Sequence, residues 1–179
     1  TLTGTQDYYP AAQPGLNIIE YSDEGIKSER VPINPDELGQ HMSLVYTGRA
    51  HHSGINNWQV IQKAVERDVG VMNCLQELAE ISQEMKKVCL KKEWSKLPEL
   101  FKRDHKVRMA MAPSFNSPEI DRLEILCAEA GADAMKICGA GGGGSVLVWS
   151  NPDKCEDIRS QCESHGFQVI SSKPVVVST

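Results

Sequence analysis

The chain has 179 residues, a length that fits one ordinary domain, or one small domain with part of another. Its hydrophobic fraction of 40% suffices for a packed core, and its charged fraction of 24% is that of an ordinary soluble protein. A formal net charge of −5 leaves no basic footprint for nucleic acid, and no apolar run approaches a membrane span.

Residues 1 to about 50 read as turns and short strands. Asn17-Ile18-Ile19-Glu20-Tyr21 is a strand candidate, Asp23-Glu24-Gly25 a turn, and Arg30-Val31-Pro32-Ile33 a poorer strand with an edge-type proline. Asn34-Pro35-Asp36 opens a capped helical turn, and Met42 to Thr47 is a third strand ending at Gly48. Between residues 54 and 91, Ile55, Trp58, Ile61, Val65, Val69, Met72, Leu75 and Leu78 recur every three or four positions, which predicts two helices broken near Gly70. Trp58, Met72, Met109 and Met111 read as core or interdomain packing rather than a cofactor box.

A helix is predicted from Glu93 to Ala110, with Pro98 in its first turn and Leu97, Leu100, Phe101, His105 and Met109 on one face. Ser117-Pro118 starts another, with Ile120, Leu123, Ile125, Leu126 and Ala130 as core contacts and Gly131 as its stop. Strands are expected at residues 134–138, 145–149, 167–170 and 174–177, with a helix from Asn151-Pro152 to His165. This order suits an α+β layer with an antiparallel sheet and helices on one face.

The six cysteines, Cys74, Cys89, Cys127, Cys138, Cys155 and Cys162, contain no Cys-x-x-Cys pair, which argues against a zinc knuckle or redox dithiol. They read as buried free thiols in a reducing cytoplasm. No cluster has metal-ligand spacing. No signal peptide opens the chain, and Thr1 to Asp7 lacks an initiator Met, so it reads as cut from a longer chain.

Five of the 14 glycines lie in Gly139-Ala140-Gly141-Gly142-Gly143-Gly144-Ser145. The spacing satisfies Gly-x-Gly-x-x-Gly, but a dinucleotide fingerprint requires a helix next, and Val146-Leu147-Val148-Trp149 reads as strand. A Walker loop requires Gly-Lys-Ser/Thr, which is absent here. A two-residue hairpin needs one or two glycines, and each extra one costs chain entropy. Two readings remain. Either the loop is a flexible exposed hairpin tip, or its glycines let a phosphate or another backbone approach closely, with amides forming an anion nest.

Lys136-x-Cys138-Gly139-Ala140-Gly141-Gly142-Gly143-Gly144 resembles the third signature motif of the GHMP kinases (galacto-, homoserine, mevalonate and phosphomevalonate kinases). Ser114-Phe115-Asn116-Ser117-Pro118-Glu119-Ile120-Asp121, Leu44-Val45-Tyr46-Thr47-Gly48, and Gly4-Thr5-Gln6-Asp7 with Pro14-Gly15-Leu16 strengthen the match. They are similar to the sugar-kinase branch that includes D-glycero-D-manno-heptose 7-phosphate kinase and L-fucokinase. The resemblance implies a ferredoxin-like C-terminal domain with extra helices over residues 51–179. Residues 1–50 would be the tail of an N-terminal domain resembling ribosomal protein S5 domain 2. The family's Pro-x-Gly-Leu-Gly-Ser-Ser-type loop, which grips the ATP phosphates, is not in this sequence.

Further implications follow from the resemblance alone. Asp7 would be the base that accepts or orients the sugar hydroxyl. Gly139, Ala140, Gly141, Gly142, Gly143, Gly144 and Ser145 would line the ATP phosphates. Thr47, Gly48, Arg49, His51, Ser53 and Lys136 would approach the sugar. Relatives often carry Arg where His51 stands, which leaves the sugar open, with Arg49 or His52 as compensating candidates. Read without the resemblance, Asp7 is a turn or cap residue, Lys136 a solvated strand lysine and His51-His52 a solvated loop pair.

The expected activity is ATP-dependent phosphorylation of a sugar or sugar phosphate, heptose 7-phosphate or fucose-like. ATP and Mg2+ would act in the intact enzyme, and this stretch alone would be inactive. The expected partners are the sugar and the N-terminal kinase domain, with no nucleic acid or membrane, a cytoplasmic setting, and a homodimer left open. The alternative is a non-catalytic ferredoxin-like module for small-molecule binding or dimerisation.

Overall fold

The computed structural model describes residues 5–50, 53–139 and 141–175, with the backbone alone for residues 53–56. A short helix α1 (Tyr8–Ala12), which sequence periodicity did not indicate, precedes an antiparallel hairpin of β1 (Leu16–Ser22) and β2 (Gly25–Val31). β2 thus begins before the expected Arg30, because the turn at Asp23-Glu24 feeds directly into pairing of Ser22 with Gly25. The side-chain oxygen of Asn34 accepts from the Asp36 and Glu37 amides and caps α2 (Pro35–Gly39).

The main sheet has four strands, β3 (Met42–Tyr46), β4 (Ala132–Ile137), β5 (Ser145–Ser150) and β6 (Gln168–Ile170), in the order β4-β5-β3-β6 with every pair antiparallel. Four helices, α3 (Ser53–Val65), α4 (Val69–Lys91), α5 (Leu97–Met111) and α6 (Pro118–Glu129), lie between β3 and β4. A fifth, α7 (Cys155–Ser164), joins β5 to β6. Counted from β3, this is the β-α-β-β-α-β order of a ferredoxin-like unit with extra helices in its first crossover. β3, on the N-terminal side of the expected boundary at residue 50, is an inner strand of this sheet.

Helices cover both faces of the sheet, not one as expected. Strand alternation explains this. Val45, Met135, Ile137, Val146 and Val148 pack with Ile120, Leu123 and Cys127 of α6 and with Ile158 and Cys162 of α7. The residues between them, Ala134, Leu147 and Trp149, pack on Ile81 and Val88 of α4 and Leu97, Leu100, Phe101 and Val107 of α5. β5 is apolar at four consecutive positions, Val146 to Trp149, as a strand buried on both faces should be. Trp149 stacks on His41 at 5.0 Å between ring centroids and meets Phe101 edge-on.

Several local expectations need correction. The break between α3 and α4 falls at residues 66–68, where Arg67 takes a left-handed φ of 58° and the Asp68 carboxylate caps Val71. Gly70 lies inside α4. Ile125 points to solvent, because α6 buries only the stripe of Ile120, Leu123 and Cys127. Of the two expected roles, core or interdomain packing, Trp58 and Met72 do not have the first, since both are exposed, whereas Met111 is buried. Residues 174–175 form no strand, and the rest of that expected strand lies outside the described residues. Cys127, Cys155 and Cys162 are buried, but Cys74, Cys89 and Cys138 are only half-buried, and all six are free thiols.

Candidate active site

The glycine loop joins β4 to β5 at the end of the sheet, and its backbone explains its composition. Gly139, Gly141, Gly142, Gly143 and Gly144 all have positive φ, between 70° and 147°, a region where a side chain is strained. Space forbids side chains at two of these. A Cβ on Gly141 would lie 2.5 Å from the Phe115 carbonyl oxygen, and one on Gly143 would lie 2.8 Å from that of Arg49. The reading of the loop as a flexible exposed tip does not hold, since Gly141, Gly143 and Gly144 are buried.

Two loops grip it. The Gly142 amide donates to the Phe115 carbonyl at 2.7 Å, in the turn after α5. The Gly144 amide donates to the Arg49 carbonyl at 2.8 Å. Gly144 in turn accepts from the Thr47 amide at 2.9 Å and the Thr47 hydroxyl at 3.0 Å. Cys138 closes the base by donating to Ser145 at 3.0 Å. The expected close approach of another backbone therefore occurs within this chain. The amides of Gly142 and Gly144 are engaged by carbonyls and do not belong to an open anion nest.

Thr47, Gly48 and Arg49 stand beside the loop, as their place at the end of β3 requires. The Thr47 hydroxyl is buried and holds Gly144, so it pins the loop. Gly48 has a φ of 80° with open space around it. The Arg49 guanidinium pairs with Glu119 at 3.1 Å in the first turn of α6. The local backbone amide, that pairing and the Ser117 hydroxyl hold the half-buried Glu119 carboxyl below the usual range. Ser53 opens α3, while His51, His52 and Ala140 lie outside the described residues.

Lys136 is not a solvated strand lysine. It shares the α5-facing side of β4 with Ala134, and its Nζ donates to Asp104 Oδ2 at 2.8 Å. Arg108, one turn beyond Asp104 on α5, donates its Nε to the same oxygen at 2.8 Å. The Asp104 side chain is 8% exposed, and those of Lys136 and Arg108 are 26% and 28% exposed. Burial pulls the Lys136 ammonium below its ordinary value, against the opposing pull of Asp104. Asp7 is exposed at the start of α1 and makes no capping bond. Burial pushes the Cys138 thiol up, and its proton also feels Lys136, Arg108 and Asp7. Lys136 and Arg108, tied together through Asp104, thus stand beside the strand that leads into the glycine loop.

Sequence reading missed Asp104 and Arg108. Their i,i+4 spacing on a predicted helix was the available signal. Among the described residues, no three His, Cys, Asp or Glu side chains converge to hold a metal ion.

Residues 61–168 match the family model described as GHMP kinases C terminal, more than half of the chain. The chain belongs to the GHMP kinase family. Probable glucuronokinase 2 of Arabidopsis thaliana is 26% identical over 130 residues, which is 72% of this chain and 35% of that protein. Among solved structures, L. major mevalonate kinase in complex with R-mevalonate aligns with a TM-score of 0.73 at 15% identity, covering 91% of this chain and 50% of that one. A D-glycero-D-manno-heptose 1-phosphate kinase from B. thetaiotaomicron aligns at 0.64 and 18% identity, covering 94% and 45%. At such identities these structures show a shared α+β fold. The chain spans about a third of the curated relative and about half of these solved chains. No helix among the described residues is long and apolar enough to cross a membrane.

Proposed function

We propose that this chain is the C-terminal part of an ATP-dependent sugar kinase that phosphorylates a hydroxyl of a sugar or sugar phosphate, heptose-like or fucose-like. The observation that carries the reading is the glycine loop. It is a wall fixed by Phe115 and Arg49, with Lys136 and Arg108 held on Asp104 beside the strand that leads into it. Membership of the GHMP kinases and similarity to a probable glucuronokinase and a heptose 1-phosphate kinase support the same reading.

ATP supplies the phosphoryl group. On this chain Asp7 accepts the proton of the acceptor hydroxyl as its oxygen bonds to phosphorus and the bond to the ADP leaving group breaks. Asp7 suits this role because it is exposed and no hydrogen bond ties it to the helix it precedes. Gly139 to Ser145 limit where the transferred group can sit, and Thr47 holds that wall in place. Arg49, Ser53 and His51 belong to the acceptor side. The described residues hold no acidic cluster that fits Mg2+, so no step here is assigned to a metal. Residues before β3 are assigned to the N-terminal domain, the ferredoxin-like domain beginning at Met42. The setting is cytoplasmic.

The test is ATP consumption by the intact enzyme against a panel of neutral and phosphorylated sugars. ATP-dependent phosphorylation of at least one is expected. ATP turnover with none of them overturns the reading. The isolated chain should show no tight ATP binding by calorimetry, and tight binding would contradict the assignment of the phosphate grip to another part of the protein.

A further inference from the structure

We infer that Arg108 and Lys136, fixed on the buried carboxylate of Asp104, form a receptor for a negatively charged group on the acceptor sugar, a carboxylate or a phosphate. The inference rests on the sugar-kinase reading above and names the class of acceptor it takes.

The charge count is the first argument. One buried carboxylate oxygen serves two cations that are about a quarter exposed, so the cluster keeps a net positive charge partly withdrawn from water. Among the described residues, neither cation has a second carboxylate within ion-pairing distance. A desolvated excess charge is costly unless something neutralises it, and an anionic ligand would do so.

Donor geometry is the second. Among the described residues, Arg108 engages Asp104 through Nε alone, which leaves both terminal nitrogens of its fork for another partner. Lys136 engages Asp104 through one of its three N–H bonds. Two adjacent terminal guanidinium nitrogens match the two oxygens of a carboxylate or phosphate. The neighbouring ammonium adds a point charge.

Rigidity and place complete the case. Arg108 stands in the last turn of α5 and Lys136 at the end of β4, both regular elements, with Asp104 holding the two head groups together. Such a preorganised pair loses little freedom on binding. Lys136 stands three residues before Gly139 on the strand that leads into the glycine loop, so the pair flanks the base of the wall that bounds the proposed site. Asp104 is then a positioning residue, and Arg108 and Lys136 are the groups that touch substrate.

The experiment uses the intact enzyme and sugars that differ only at the terminal carbon. In each of the gluco, galacto and manno series, kcat and KM are measured for the hydroxymethyl, carboxylate and phosphomethyl forms. The expected result is a preference for one charged form over its neutral counterpart. Whichever charged form wins names the source of the anion. Arg108→Lys keeps the charge and the tie to Asp104 but loses the fork. It should cut the charged-over-neutral ratio of kcat/KM by roughly 10- to 150-fold, the scale of a hydrogen bond to a charged group. The loss should fall mainly in KM.

Equal or better use of neutral sugars by the wild type overturns the receptor and leaves the kinase reading standing. An equal fall in kcat on every sugar in Arg108→Lys also overturns it, since the cations would then serve the transferred phosphoryl group. Phosphorylation of no sugar in any series overturns both readings together.

Discussion

Replacing Gly141 with alanine tests the reason for the glycine loop most severely. Two costs add. At a φ of 70° a side chain is strained by roughly 1–2 kcal/mol. The new Cβ would also lie 2.5 Å from the Phe115 carbonyl oxygen and 2.9 Å from its Cα. Backbone cannot rotate aside as a side chain would. Relief requires Phe115 to retreat, which stretches the 2.7 Å bond from the Gly142 amide to its carbonyl. Leaving those buried groups unpaired costs about 1–3 kcal/mol. The expected total is about 3 kcal/mol.

Gly166 supplies the control. Its φ is 84°, similar to that of Gly141, but nothing lies within 4 Å of an added Cβ. Gly166→Ala should therefore cost only the strain, roughly 1–2 kcal/mol. Urea unfolding of both variants, read at constant slope, should put Gly141→Ala about 2 kcal/mol below Gly166→Ala. Equal losses would refute the close approach, and the loop would then be glycine-rich for conformation alone.

The Asp104 cluster makes a prediction about pH. Burial lowers the folded pKa of Lys136 below its unfolded value, so in the window between the two the unfolded chain binds more protons. Stability should rise with pH through the window below the ordinary lysine value of 10.5, and Lys136→Met should remove that part of the rise. Parallel stability-against-pH curves for the two proteins would show that Lys136 is not perturbed. The register of α6 makes another. Leu123 is fully buried and Ile125 is 62% exposed, so Leu123→Ala should cost about 3 kcal/mol and Ile125→Ala less than about 0.5. Similar losses in thermal or urea unfolding would mean that the buried stripe has been misplaced.

Where a segment's own chemistry decides its structure, the sequence was enough. Ser117-Pro118, Asn34-Pro35 and Gly131 set helix ends through caps and backbone freedom that need no distant partner. Val146 to Trp149 announced a strand, and so excluded a nucleotide fingerprint in the loop before it. What stayed hidden depends on contacts between distant segments. The second helical layer required knowing that Leu147 and Trp149 face α4 and α5 while Val146 and Val148 face α6 and α7. Ile125 passed as a core residue because an apolar position every few residues does not say how wide the buried stripe is.

Much the same division holds for the site. The excess glycine was legible as close approach, but not the identity of the neighbours, Phe115 and Arg49, which fold in from two separate loops. Thr47 was legible as a residue near the site. Its use as a pin for Gly144 was not, because a buried hydroxyl looks like any other threonine until its partner is placed. Lys136 was ambiguous by itself. Its pairing joins a strand to a helix 32 residues earlier in the chain, and only the fold brings Asp104 beneath it.

We propose Asp7 as the group that faces the reacting hydroxyl in a sugar kinase. Single-turnover phosphoryl transfer by the intact enzyme, compared with Asp7→Asn, tests it most directly. Asp7 is exposed and makes no capping hydrogen bond, so the change should leave the unfolding midpoint in place. The rate should fall by about 100-fold or more, the usual contribution of a positioned base. An unchanged rate in a normally folded Asp7→Asn enzyme would contradict the account.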